Sequence, residues 1–250
     1  MTFDLTFFAL AIPAVVFAGI SKGGFGSGAA FAATPILALI LTPGQALGLM
    51  LPLLMVMDIS TLRPYWRRWD SAAARLLILG AVPGIALAAA LYHLTNPDVF
   101  RLLIGALALG FVAFQLAGRS GLLKLSRRPV GPLYGLVSGS IAGFTSFVSN
   151  AGGPPAAIYL LRRGIGKTTY QATTVLVFWV VNILKFLPFL YLGIFSRDTV
   201  TADILLAPFA VLGAWLGVKA HHRVPERAFF ALTYILLACT GAKLIWDALA

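Results

Sequence analysis

The sequence predicts an all-α polytopic membrane protein, and the observations that predict it are its composition, the lengths of its apolar runs and its internal symmetry. Of its 250 residues, 60% are hydrophobic and 11% are charged, whereas soluble domains are about 45–50% apolar and about 25% charged. The mean hydropathy is +0.92. This composition excludes an ordinary soluble enzyme.

Apolar runs bounded by charge, proline or glycine follow one another along the chain, and a helix that crosses a bilayer needs about 20 apolar residues. The runs cover residues 5–20, 29–41, 44–61, 72–93, 99–117, 130–149, 154–161, 168–192, 204–218 and 228–246. Two pairs of short runs are interrupted, at residues 21–28 (SKGGFGSG) and at residues 150–155 (NAGGPP). Interrupted helices at corresponding places in two halves are typical of a transporter binding site.

The two halves correspond in order when one is laid on the other at an offset of about 124–129 residues. The matching positions are Ala18-Gly19 with Ala142-Gly143, Asp58 with Asn182, Gly84 with Gly213, His93 with His221, Pro97-Asp98 with Pro225-Glu226, and Gln115 with Lys243. This order predicts a first membrane repeat over residues 1–118, a cytoplasmic linker over 119–129 and a second membrane repeat over 130–250. Each repeat is expected to hold a broken Gly-rich hairpin plus three full transmembrane helices.

The charge distribution predicts the orientation of these repeats. The chain has 19 Lys and Arg against 8 Asp and Glu, a formal net charge of +11, which the basic bias of cytoplasmic loops explains without a nucleic-acid partner. If each interrupted pair of runs enters and leaves on one side, the loops near 62–75, 118–130, 162–167 and 219–227 are cytoplasmic and hold about 14 of those 19 basic residues. That arrangement gives each half an odd number of crossings, so the repeats are inverted and both termini lie outside.

Four ionisable residues then remain inside the membrane: Lys22, Asp58, Lys185 and Lys243. Each costs at least about 2.5–3.5 kcal/mol near the bilayer centre, which makes an intramembrane charge a candidate functional residue. Their summed charge is cationic and suits an anion. Lys185 and Lys243 have an alternative interpretation, in which they reach an interface, whereas Lys22 lies at a Gly-rich break and is expected to matter most.

A break inside the membrane exposes backbone amides at the start of the following half-helix, where the positive end of the helix dipole favours an anion. Glycines there let a ligand approach the backbone, or alternatively permit close helix packing. The predicted substrate-binding residues are the polar and glycine residues of both breaks, namely Ser21, Lys22, Gly23, Gly24, Gly26, Ser27, Ser149, Asn150, Gly152 and Gly153.

Asp58 is the only carboxylate in a predicted span, and it could bind a coupling ion, carry a proton or pair with an internal lysine. We expect it to couple transport to a proton or Na⁺ without touching the substrate, because a carboxylate beside a bound anion would repel it. Asn182, Lys185 and Lys243 complete the set of coupling or supporting residues.

Enzyme chemistry is not expected. The membrane segments offer no acid–base pair, no nucleophile with a base and no metal cluster, because the 3 histidines fall at loops. No metal or cofactor is therefore predicted. A passive anion channel is a closer alternative than an intramembrane enzyme, since the same basic, amide-lined site would serve it.

The interrupted segments also resemble those of a known family. Residues 18–26 (AGISKGGFG) and 34–37 (TPIL), followed half a chain later by 142–144 (AGF) and 152–155 (GGPP), resemble the TauE/SafE sulfite exporter family, also called the toluene sulfonate uptake permease family. The resemblance implies a multi-pass protein of a bacterial-type inner membrane that transports sulfite, organosulfonates or related sulfur-containing anions by alternating access, coupled to an ion gradient. The prolines after Gly153 depart from the fuller glycine pattern often seen in the family.

Overall fold

A computed structural model describes residues 3–25, 30–120, 130–220 and 226–249, and every regular element in those ranges is helical. The ten α-helices of these ranges are α1 (Leu5–Ile20), α2 (Ala33–Leu37), α3 (Pro43–Leu62), α4 (Ser71–Leu94), α5 (Pro97–Arg119), α6 (Pro132–Ser149), α7 (Gly153–Arg162), α8 (Lys167–Tyr191), α9 (Arg197–Ala220) and α10 (Glu226–Leu249). Gly26, Ser27, most of the predicted linker, His221 and Pro225 lie outside the described residues.

Within the described ranges, seven helical segments are long and apolar enough to cross a membrane. They are Leu5–Gly24, Pro43–Tyr65, Ser71–Leu94, Pro97–Gly118, Lys167–Tyr191, Arg197–Lys219 and Phe230–Leu249. This confirms the predicted class, an all-α polytopic membrane protein, while the inverted relation of the two halves stays a prediction. The first interruption begins later than expected, because α1 continues through a π-helical turn over Ser21–Phe25.

Side-chain caps set several helix starts. Asp4, Asp70 and Asn96 each accept a hydrogen bond from the backbone amide three residues later, and Thr42 forms a reciprocal capping box with Gln45. Such caps satisfy amide groups that have no partner inside the helix. Proline at the first position of α3 and of α5 also favours these starts, because its φ angle is fixed at a helical value.

Several helix pairs approach each other closely through glycine, among them α4 with α6, α1 with α9, and α5 with α10, where a Cβ atom at Gly105 would lie 2.8 Å from the Gly241 carbonyl oxygen. α4 packs on α6, where a Cβ atom at Gly84 would collide with the Ser140 carbonyl oxygen and one at Gly143 with the Ala81 carbonyl oxygen. α1 packs on α9 in the same way, and a Cβ atom at Gly19 would lie 2.7 Å from the Ala214 nitrogen. Small residues allow this backbone contact between membrane helices, where lipid provides little hydrophobic drive for association.

α3 and α8 pack against each other, and α5 and α10 pack against each other. A buried apolar cluster joins the latter pair to the segments beside both interruptions, through Phe31, Ala151, Phe111 and Tyr234. The Phe31 and Phe111 rings meet edge to face at 4.9 Å between centroids, a favoured geometry for aromatic pairs. The two interruptions are thus covered by α5 and α10, and α3 and α8 supply the polar residues between them.

Replacing Gly84 by alanine should destabilise the protein by about 1–3 kcal/mol, the usual cost of overpacking, because the added methyl group would meet the α6 backbone. Gly110→Ala is the matched control, since nothing lies within 4 Å of a Cβ atom there. Thermal unfolding of the purified variants in detergent measures the difference. Equal melting temperatures for the two variants would contradict the close α4–α6 contact.

Candidate functional site

An ion pair lies at the centre of the structure. The Lys22 ammonium nitrogen is 2.8 Å from Oδ1 of Asp58, and the exposed fractions of the two side chains are 5% and 0%. The other carboxylate oxygen of Asp58 accepts a hydrogen bond of 2.7 Å from the Asn182 amide. The structure therefore brings the first interruption, α3 and α8 together at one carboxylate.

A second buried lysine joins α8 to the second interruption. The Lys185 ammonium donates to the Asn150 side-chain oxygen at 2.7 Å and to the Ser146 carbonyl oxygen at 3.1 Å. The Asn150 amide in turn donates to the Thr34 hydroxyl at 2.9 Å. Lys185 is fully buried, so it does not reach an interface, which was the alternative interpretation from sequence.

The backbone conformation of Asn150 allows its side chain to contact Lys185. It ends α6 in the left-handed conformation, with φ of 57°, which asparagine tolerates better than most residues. The backbone amide of Asn150 donates to the Ser146 carbonyl, and the backbone amide of Ala151 donates to the Thr145 carbonyl. The Thr145 hydroxyl donates back to the Ala151 carbonyl. The turn is therefore held by its own hydrogen bonds and fixes the direction of the Asn150 side chain.

Several donors of this second interruption have no partner among the described residues. The Ser149 hydroxyl is buried and makes no hydrogen bond, and the amides of Gly152 and Gly153 donate to no residue that the structure describes. Pro154 and Pro155 have no N–H, so these two glycine amides are the donors left at the start of α7. Buried donors without partners are costly and are the groups that a bound anion would satisfy.

The charges of the cluster do not cancel. Lys22 and Lys185 contribute two positive charges and Asp58 contributes one negative charge, while Asn182, Asn150 and Thr34 are neutral. Asp58 is paired with Lys22 and interacts with Lys185 only through its longer-range field. In its ionised form the cluster thus carries one uncompensated positive charge, located at Lys185.

Glycines are closely packed at both interruptions. At the second, a Cβ atom at Gly152 would lie 2.6 Å from the Phe178 ring and 2.7 Å from the Ala142 carbonyl oxygen. At the first, Cβ atoms at Gly23 and Gly24 would collide with the carbonyl oxygens of Ala214 and Gly217 on α9, so these glycines permit close helix packing, as the alternative interpretation held. The Lys22 carbonyl oxygen accepts a hydrogen bond from Gln171 at 2.9 Å and the Gly23 carbonyl oxygen accepts one from Tyr65 at 3.1 Å. Ser21 is buried beside them.

Not every residue expected in the site lies there. Lys243 is exposed and pairs with Asp247 one helical turn away on α10, apart from the buried cluster. Asp58 is also not the only carboxylate in a span: the predicted run at 204–218 was too short, because α9 begins at Arg197 and includes the buried Asp203. Thr34 is among the donors expected near the breaks, whereas Gln171 was not predicted, since only the folded structure brings it to the first interruption.

The second interruption borders a cavity of about 360 Å³ between α5, α6 and α7. Its lining is mainly apolar and includes Phe111, Ile141, Ala151 and Pro155. It contains no charged side chain that could hold an anion. The polar cluster, and not this cavity, is therefore the candidate site.

A further ion pair joins the segment before α4 to the segment after α7. Arg163 follows α7 and donates to Asp70 at 3.0 Å, and the Asp70 backbone amide donates to the Thr173 hydroxyl at 2.9 Å. Partial burial alone would raise the pKa of Asp70, but the Ala73 amide and the Arg163 charge hold it below its ordinary value of 3.8. Asp70 is thus ionised at neutral pH, and together with the Tyr65 and Gln171 contacts it closes this side of the cluster.

Comparison with known proteins identifies the family. The family model described as sulfite exporter TauE/SafE matches residues 11–244 of the 250-residue chain. No curated protein and no solved structure matches. Because the match covers nearly the whole length, the chain belongs to the TauE/SafE sulfite exporter family, a family of membrane transporters, and this points away from enzyme activity.

Asn150→Gly should destabilise the protein by about 1–3 kcal/mol, since it leaves the buried Lys185 ammonium with one acceptor while glycine keeps the left-handed backbone. Thermal unfolding measures the loss. Thr34→Val removes the other partner of Asn150, and the two changes together should cost less than their sum because they share one contact. An unchanged melting temperature for Asn150→Gly would show that Asn150 does not hold Lys185.

Proposed function

We propose that this member of the sulfite exporter family is a secondary transporter of a small sulfur-containing anion, such as sulfite or an organosulfonate, and that the anion binds beside Lys185. One observation carries the proposal: a fully buried lysine without a carboxylate of its own lies next to a turn whose donors are unused. A buried charge is stable only when it is paired. A bound anion supplies that pair.

The donors at the second interruption match the chemistry of such an anion. A sulfite or sulfonate group presents three oxygen atoms that accept hydrogen bonds and share a negative charge. The Gly152 and Gly153 amides at the start of α7 and the Ser149 hydroxyl would donate to those oxygens, and Lys185 would supply the opposite charge. One bound monoanion would bring the net charge of the cluster to zero.

Asp58 is proposed to couple this binding to a proton or Na⁺. Its carboxylate holds Lys22 at 2.8 Å, so a proton or cation bound to Asp58 would free the Lys22 charge. The cluster would then carry two uncompensated positive charges and attract an anion more strongly. Binding of the coupling ion and binding of the anion would in this way favour each other, as coupled transport requires.

The proposed transport cycle is alternating access between the two halves, with both termini outside and the basic loops in the cytoplasm. The paired contacts support an inverted duplication, because α1 meets α9 as α6 meets α4, and the glycines of these contacts are among the residues that match between the halves. The contacts of Tyr65, Gln171 and Asp70 close the cluster on the side proposed as cytoplasmic. Opening that side would require these contacts to break.

Lys185→Met should weaken anion binding by roughly ten- to a hundredfold, because a charge-assisted hydrogen bond contributes about 1.5–3 kcal/mol. Methionine has a similar volume and removes a buried charge, so the fold should survive. Thermal shifts and titration calorimetry against sulfite, sulfate, thiosulfate, sulfoacetate and isethionate measure the affinity. This screen is also the test of the proposed function.

Lys243→Met is the matched control for that measurement, since Lys243 is exposed and pairs with Asp247, and its affinity should equal that of the wild type. The sequence alone favours Lys22 as the stronger determinant. Because Lys22 is paired with Asp58 in the structure, we expect Lys185 to contribute more to anion binding. Wild-type affinity in folded Lys185→Met protein would remove Lys185 from the site, and failure of the wild type to bind any of these anions would contradict the proposed function.

Asp58→Asn should leave anion binding in place, or strengthen it, and abolish accumulation of the anion against its gradient in proteoliposomes. The substitution frees Lys22 but removes the group that binds the coupling ion. It should also lower stability by about 3–5 kcal/mol, the usual cost of leaving one partner of a buried ion pair alone. Accumulation at the wild-type level under the same ion gradients would make Asp58 a purely structural partner of Lys22, and passive flux alone in the wild type would favour a channel.

A further inference from the structure

α9 contains a buried carboxyl group that the proposed anion site does not use. Asp203 is 9% exposed, and neither of its carboxyl oxygens has a hydrogen-bond partner in the described part of the chain. It lies six residues after Arg197, where α9 begins, or about 9 Å along the helix axis. Buried polar atoms without a partner are rare in native structures and call for an explanation.

The position of Asp203 on α9 places it at a contact between the two halves. Asp203, Ala210 and Gly217 follow one another at intervals of seven residues, which puts them on one helix face. The backbone of Ala210 and Gly217 contacts α1 at Gly19 and Gly24. Asp203 therefore lies on the α1-facing side of α9, nearer to the Arg197 end.

In the described part of the chain, no charge on α1 or α3, the two helices packed most extensively on α9, compensates Asp203. The π-helical turn after α1 carries Lys22, which is paired with Asp58, the one charged residue of α3. Asp4 caps the start of α1 through its own carboxylate. Arg197 and Asp198 lie on the first turn of α9 itself. None of these groups forms a hydrogen bond or ion pair with Asp203 in the described residues, so an ionised carboxylate there would have no partner.

We propose that Asp203 is a proton-binding site, protonated while α9 packs on α1 and ionised when the Arg197 end of α9 tilts away from α1. In the release step the carboxyl O–H bond breaks, the carboxylate keeps the electron pair and a water molecule takes up the proton. The ligand is a proton and not a metal cation, because a hard cation needs about six oxygen ligands and the described residues hold no cluster of acidic or histidine side chains. The consequence for transport rests on the proposed function: the proton on Asp203 couples the opening of this end to a pH gradient.

An infrared measurement tests protonation without any transport assay. The spectrum of the wild type at neutral pH minus that of Asp203→Asn should contain the carbonyl stretching band of a protonated carboxylic acid. Asparagine resembles the protonated carboxyl in shape and charge, so the variant should fold and melt as the wild type does. Absence of the band, or failure of Asp203→Asn to fold, would overturn the proposal, because either result means that the charged form is required.

Transport in proteoliposomes tests the consequence, with sulfite as the probe. Asp203→Asn should retain exchange of labelled for unlabelled sulfite and lose accumulation driven by a pH gradient, while its anion affinity stays at the wild-type value. Asp198→Asn, which changes a carboxylate on the first turn of the same helix, is the control and should accumulate sulfite as the wild type does. Wild-type accumulation by Asp203→Asn would overturn the coupling role.

Failure of this inference and failure of the proposed function give different results. If the wild type neither binds nor moves sulfite but the carboxylic acid band is present, the anion proposal fails and the proton site stands. If the wild type accumulates sulfite but the band is absent, the proton site fails and the anion proposal stands. Asp58→Asn differs from Asp203→Asn in stability, because it leaves the buried Lys22 without its ion-pair partner.

Discussion

The ion pair between Lys22 and Asp58 constrains the structure around it. A carboxylate with no exposed surface is tolerated in a membrane protein only when its partners are held in place, and here those partners come from three separate segments. Lys22 follows α1, Asp58 lies on α3 and Asn182 on α8. These three segments must therefore pack so that their side chains meet at the Asp58 carboxylate within hydrogen-bond distance.

Around that point the two interruptions have acquired different chemistry. At the first, the lysine is neutralised by a carboxylate and the backbone carbonyls are held by Gln171 and Tyr65. At the second, Lys185 has only neutral acceptors, and the amides and the Ser149 hydroxyl remain unused. The second interruption thus keeps donors without partners among the described residues, whereas the charge of the lysine at the first interruption is compensated.

The sequence predicts the helices well because the bilayer fixes their length and demands apolar side chains over that length. It predicts their ends less well: the apolar run at 204–218 stops at the charge of Asp203, although α9 begins at Arg197 and includes that residue. The residue types of the site were also predictable, since intramembrane lysines and glycine-rich breaks are rare and costly. Their pairing was not, because the contact of Lys185 with Asn150 joins residues 35 positions apart, and whether Gly23 faces a ligand or α9 depends on tertiary packing.

The glycine contacts also bear on how such a protein can move. The glycine contacts between α1 and α9 and between α4 and α6 each join a helix from the first half of the chain to one from the second. The two halves therefore cannot separate as independent blocks without breaking backbone contacts that no side chain would replace. Smooth glycine surfaces do allow one helix to roll on another while the backbones stay in touch. A small rotation of one helix on its partner about these contacts then produces a larger displacement at the helix ends.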